Sequence, residues 1–131
     1  MIGVDTNVLL RLILNDEPRQ AAAARRWFTR ATATQGVAID PVVLCELVWV
    51  LRARYRMDKP SMVGVLEQLL ATAGVICLNE DQVRSALAAW RGGNADFADY
   101  FLRERYRSSG AARMVSFDET LAAESGVTAP K

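Results

Sequence analysis

The chain contains no histidine. That absence excludes His-ligated zinc, Ser–His–Asp triads and imidazole general bases. Catalysis is left to carboxylates, amides, hydroxyls, arginine or a bound metal. Cysteine is scarce as well. Cys45 and Cys77 stand inside the apolar runs VVLCELVWVL and VICL, with no CxxC spacing. They read as buried, reduced, structural thiols of a cytosolic protein. Lysine is confined to Lys59 and Lys131, so the rest of the 16 cationic residues are arginine, a side chain suited to bidentate phosphate contacts. A charge excess is missing too: 16 basic against 15 acidic residues leave a net +1. This excludes a strongly basic nucleic-acid coat and an acidic disordered tail, but not a nucleic-acid substrate, because local patches outweigh the total. No apolar run approaches the ~20 residues that span a bilayer. The N-terminus lacks the basic stretch of a secretory signal, and Asp5 interrupts it at once. A cytoplasmic protein without membrane contact is expected.

What is present is ample apolar material. Of 131 residues, 51% are hydrophobic, enough for one core and a single domain over 1–131. MIGV, GVAID, GVICL and AARMVSF read as short strands, with GVTAP as an edge strand. Helical patterns separate them: NVLLRLILN, PRQAAAARRWFTRAT, PVVLCELVWVLRARYRM, SMVGVLEQLLATA, EDQVRSALAAWR, DFADYFLRERYRSS and DETLAAES. Asp40–Pro41 is an N-cap followed by proline at the first helical position. Lys59–Pro60–Ser61 opens another helix, and Asn79 is placed to cap the next. Gly36, Gly74, Gly92–Gly93 and Gly110 punctuate the pattern. Alternation of strand and helix predicts an α/β class, a three-layer α/β/α sandwich around a mostly parallel sheet of four to five strands.

In open parallel sheets, ligands bind beyond the carboxyl ends of the strands. Asp5, Asp40 and Asp118 each follow a strand and precede a helix, where the plain reading of an aspartate is an N-cap. Glu46 lies in a helix apolar nearly all round, and such helices are largely buried. It calls for a partner, or for a solvated stripe on that helix. Asp96 and Asp99 are three apart in NADFADYF and share a helix face. One could be the N-cap and the other a first-turn acid. Two carboxylates at ~4 Å would also repel by roughly 1–4 kcal/mol, a term that a divalent cation with oxygen ligands reverses.

Four motifs in order, GVDTNVLL, the lone glutamate of VVLCELVWVL, GNADFADYFL and MVSFD, resemble those of PIN-domain ribonucleases. More narrowly, the chain is similar to the toxin subunits of VapBC-type toxin–antitoxin pairs, over nearly its whole length. The resemblance implies an endoribonuclease that hydrolyses RNA with Mg²⁺ or Mn²⁺. It carries the catalytic acids onto Asp5, Glu46, Asp96, Asp99 and Asp118, with Asp5, Glu46, Asp96 and Asp99 as metal ligands. Thr6, Asn7 and Ser116 become hydrogen-bonding supports for those carboxylates. Ser116 stands where the family usually has threonine, and Asp40–Pro41 where many members have a serine-containing turn. Arg91, just before the GGN loop, is the nearest cation for RNA, with Arg11, Arg25, Arg26 and Arg113 as others. The cations of RERYR are spread around their helix. A cognate antitoxin, a homodimer and a larger toxin–antitoxin complex are further implied. The exposed apolar surface for these contacts could draw on Trp27–Phe28, Trp49 and Trp90, although a tryptophan at helical spacing is more often core. Rival readings are a haloacid-dehalogenase-like phosphatase, a receiver-type domain, and a non-catalytic α/β module whose acids are all caps. The first wants a second Asp where Asn7 stands, and the second wants paired aspartates at the first strand.

Overall fold

The computed structural model describes residues 1–131 and divides the chain into two compact units, Met1–Leu78 and Asn79–Lys131.

The first unit is built on three parallel strands in the order β1 (Ile2–Gly3), β2 (Val37–Ile39), β3 (Val75–Cys77). The register sets Ile2 opposite Val37, Gly3 opposite Ala38, and Ile39 opposite Cys77. Between β1 and β2 run α1 (Thr6–Ile13) and α2 (Pro18–Ala33), and between β2 and β3 run α3 (Pro41–Ala53) and α4 (Lys59–Ala71). Parallel strands need such crossovers. The helix starts follow local chemistry. Asp40 accepts from the Val42 N–H at 2.9 Å, and Asp58 from the Ser61 N–H at 2.8 Å. Proline sits in the first turn of α2, α3 and α4, where its missing N–H costs nothing. The core of the unit joins Leu9, Val37, Ile39, Leu44, Leu47, Leu51 and Leu66, all essentially inaccessible.

The second unit pairs α5 (Glu80–Gly92) with α6 (Phe97–Ser108), then adds β4 (Met114–Val115), α7 (Glu119–Ala122) and β5 (Val127–Thr128). Trp90 and Phe97 anchor the helix pair with ring centroids 5.5 Å apart. β4 and β5 are parallel, Met114 opposite Val127. Asn79 does occupy the N-cap position of α5. It does so in the left-handed region at φ 52°, and its side chain makes no capping bond.

The α/β class and the parallel pairing hold, and five strands are present. They form two sheets, of three and two strands, rather than one of four to five. β4 is short. AARMVSF pairs over Met114–Val115, the Ser116 N–H adds one bond to the Thr128 carbonyl at 3.0 Å, and the Ser116 hydroxyl accepts from the Asp118 N–H at 3.0 Å as the chain enters the next helix. No helix is long and apolar enough to cross a membrane.

Candidate functional site

In the first unit the acids lie at the carboxyl edge of the three-stranded sheet. β1 and β2 run parallel with Gly3 beside Ala38, and the Val4 N–H continues the ladder to the Ala38 carbonyl at 3.1 Å. Asp5 and Asp40 follow at equivalent places on neighbouring strands. Each begins a helix, so the capping reading is realised at both. Asp40 caps α3 in the usual way, through its second N–H. Asp5 does not. Its Oδ1 accepts from the Thr6 N–H, the first of α1, at 2.8 Å. The carboxylate is exposed, and one oxygen carries no capping bond. Beside it Thr6 is only 6% exposed, and its Oγ1 has no hydrogen-bond partner. An orphaned buried hydroxyl is costly unless a water or ligand completes it. Thr6 therefore supports Asp5 through its backbone, while its hydroxyl is left for another occupant.

Glu46 is exposed on α3, the solvated-stripe alternative of the two the sequence leaves open. Val42 and Trp49, each 56% exposed, flank it at helical spacing. The solvated stripe of α3 carries apolar side chains, so composition concealed it. Of the aromatic residues expected at a surface, Trp49 is there, Trp27 and Phe28 are half-buried, and Trp90 is a core residue.

In the second unit Asp96 and Asp99 form a capping box at the start of α6. The Asp99 carboxylate accepts from the Asp96 N–H at 3.3 Å, and the Asp96 side chain accepts from the N–H of Asp99. Asp118 caps α7 through the Leu121 N–H at 3.0 Å. Ser116 binds the Asp118 backbone rather than its carboxylate. Arg91 is exposed in the last turn of α5. The RERYR cations are not equivalent. Arg103 is buried, its guanidinium bonded to Glu104 and to the Ser125 carbonyl, with the Tyr100 ring 5.1 Å away.

Tyr100 was not legible as a site-shaping residue. It is 1% exposed; its hydroxyl donates to Glu124 Oε1 at 2.6 Å and accepts from the Ala95 N–H at 3.2 Å. It thus fixes the Gly92–Ala95 loop that delivers Asp96 and Asp99. Gly93 is required there, since a Cβ would overlap the tyrosine hydroxyl. Burial, then the Glu124 bond, raises the phenol's pKa above the ordinary 10.0. A raised pKa means that the native state favours the protonated phenol. Its contribution to stability is complete below pH 10 and is lost as pH climbs through the folded value. Tyr100→Phe should cost about 1–3 kcal/mol at neutral pH by orphaning the Ala95 N–H. It should also flatten the alkaline limb of the stability profile. Urea midpoints at pH 7 and above pH 10 check both, and equal midpoints at pH 7 would contradict the role.

All five predicted acids are thus accessible or half-buried, and four of them start or cap helices. Within neither unit do three or more Asp, Glu, Cys or His side chains form a group that could hold a metal ion. The expected convergence of the acids is not present inside either unit. The donor chemistry does fit a hard divalent cation. Only carboxylate, amide and hydroxyl oxygens are on offer, which suits Mg²⁺ or Mn²⁺ and not zinc, and the orphaned Thr6 hydroxyl adjoins the first carboxylate.

The sequence matches the PIN domain family over residues 2–124, a span that runs through both units and contains every one of these acids. The chain belongs to the PIN domain family. PIN domains are generally metal-dependent nucleases, which places this chain in the hydrolase class. No curated protein matches it.

Proposed function

We propose that the chain is a Mg²⁺- or Mn²⁺-dependent endoribonuclease, the toxin of a toxin–antitoxin pair, and that residues 1–131 act as one functional domain. The observation that carries this is the coincidence of PIN membership with five available acids in the matched span. Asp5, Glu46, Asp96 and Asp99 would hold the ion, and Asp118 would complete the acidic site. Thr6 holds the Asp5 carboxylate through its backbone N–H, Ser116 holds the Asp118 backbone N–H through its hydroxyl, and Asn7, two residues after Asp5, would be a further hydrogen-bonding support. When bound, the ion supplies an activated water and stabilises charge on the phosphate. The products are a 5′-phosphate and a 3′-hydroxyl. Arg91 is the cation assigned to the RNA backbone.

The toxin role also calls for an antitoxin and a second copy of the chain. Two features support such contacts: the Val42–Trp49 stripe of α3, and an apolar groove of about 450 Å³ between α1, α2 and α4, walled by Leu12, Phe28, Val65 and Leu69.

The capping bonds of Asp5, Asp96 and Asp118 favour a second reading, a non-catalytic module. Metal titration separates the two. Binding to the native state raises stability by about 2.7 kcal/mol at 100 times Kd, so the melting temperature should climb with Mn²⁺ and labelled RNA should be cut. A melting temperature indifferent to Mn²⁺, together with intact RNA, would leave only the module.

A further inference from the structure

A second cavity lies between α1 and α2, about 700 Å³ in volume and separate from the apolar groove. This is within the ~300–1,000 Å³ usual for small-ligand sites. Its walls are two helical stripes. α1 contributes Asn7, Val8 and Arg11; α2 contributes Gln20, Ala23, Ala24 and Trp27, at i, i+3, i+4 and i+7. The two alanines make a notch, with Ala24 buried at its floor and Ala23 exposed at its lip. An indole, two amides and a guanidinium converge around that notch.

The guanidinium is braced. Arg11 Nη1 binds Asp16 Oδ1 at 2.9 Å, and the Tyr55 hydroxyl donates to Asp16 Oδ2 at 3.0 Å. The Tyr55 bond, reinforced by the Arg11 charge, lowers the Asp16 carboxyl below its ordinary pKa, so the brace persists in mild acid. Arginine has five N–H donors, and a single-oxygen contact leaves several for an anion. Asn7 follows Asp5 by two residues, so the helix that begins at the first proposed ligand also supplies one wall of the cavity.

We propose that this cavity is a subsite for one unstacked nucleobase of a single-stranded RNA. Trp27 is the stacking face, Gln20 and Asn7 read the base edge, and Arg11 meets the adjoining phosphate. The subsite rests on the ribonuclease reading for its substrate. It would set which phosphate stands at the acids, and hence the sequence preference of cleavage. Aromatic stacking is tolerant of base identity, so discrimination falls to the amides.

The test uses the full chain and fluorescent RNA hexamers of A, C and U, with binding read by anisotropy in Ca²⁺, an oxygen-seeking divalent ion. Trp27→Leu should weaken binding by roughly 5- to 100-fold, the range for losing one base stack. Ala23→Leu, which fills the notch from an exposed helix position, should weaken it comparably. This second variant keeps the proposal testable should Trp27→Leu fail to fold. Gln20→Ala should narrow the differences among the three hexamers. Binding of the folded Ala23→Leu protein within twofold of the parent would overturn the subsite, as would no RNA binding by the parent. The binding result is independent of hydrolysis. A parent that binds through this notch but cuts no RNA in Mn²⁺ would sink the nuclease reading and leave the subsite standing.

Discussion

Asp5→Asn will lower metal-dependent RNA cleavage by more than ~100-fold, with little effect on the stability of the metal-free protein. The reasoning separates the two roles of this side chain. As a cap, asparagine is about as good as aspartate, and the amide oxygen can still accept the Thr6 N–H, a bond of 2.8 Å in the native chain. As a metal ligand, it lacks the charge. Loss of even a supporting group around a metal typically costs 10–100-fold, and loss of a direct ligand should cost more. Glu46→Gln should act likewise. Since Glu46 is exposed and mid-helix, its replacement has no structural consequence to confuse the result. Asp40→Asn is the control. It preserves a cap at the same edge of the sheet, outside the proposed ligand set, and should leave cleavage unchanged. Initial rates on a labelled RNA in Mn²⁺, beside melting curves in EDTA, decide the matter. If Asp5→Asn cleaves as fast as the parent, the carboxylate is only a cap.

Gly74→Ala should destabilise the first unit by about 2–5 kcal/mol, summing a left-handed penalty of ~1–2 with an overpacking cost of ~1–3. Gly74 has φ +85°, and its carbonyl accepts from the Val37 N–H at 2.8 Å as β3 enters the sheet. An added Cβ would overlap the Thr32 carbonyl oxygen and approach the Thr32 Cα and carbonyl carbon to 2.8 Å. Those are backbone atoms of α2, locked in the helix, and they cannot yield by rotating a side chain. Since whole domains are stable by only about 5–15 kcal/mol, poor recovery of folded protein at 37 °C is expected. Gly64→Ala makes the contrast. Gly64 is exposed within α4 with nothing within 4 Å of a Cβ, so the change should stabilise by roughly 0.5–1 kcal/mol. Urea unfolding of the two variants should shift in opposite directions; a shared direction would refute the steric account.

Much of this architecture is local and was therefore readable. Asp40–Pro41 starts α3, Lys59–Pro60 opens α4, and Gly36 and Gly74 end helices in left-handed turns, because caps and φ constraints act within a few residues. The order and spacing of the acid motifs was enough to indicate the PIN family, and the match over residues 2–124 agrees. Two readings stayed open in the sequence for the same reason. For α3 the sequence leaves open a partnered, buried Glu46 or a solvated stripe; the stripe is found, and it includes Val42 and Trp49, because apolar content cannot show which stripe lacks a packing partner. Of the tryptophans named for a contact surface, Trp90 takes the alternative core place, against Phe97. Arg103 shows the converse. A cation in a charged run is buried because Glu104 and the Ser125 carbonyl satisfy it, and the latter comes from far along the chain.

The sequence by itself determined the α/β class, the parallel direction of the strands, the helix starts and the candidate acids. Each follows from periodicity, capping chemistry or the lack of histidine. Tertiary structure alone decided that the strands form two sheets and that Tyr100 holds the loop before Asp96. It also left the Thr6 hydroxyl buried without a partner and braced Arg11 through Asp16 and Tyr55 beside the α1–α2 cavity. Those features depend on burial and on contacts such as Tyr55–Asp16 and Tyr100–Glu124, which join residues distant in the chain and whose energies are set by packing and desolvation rather than by any local pattern.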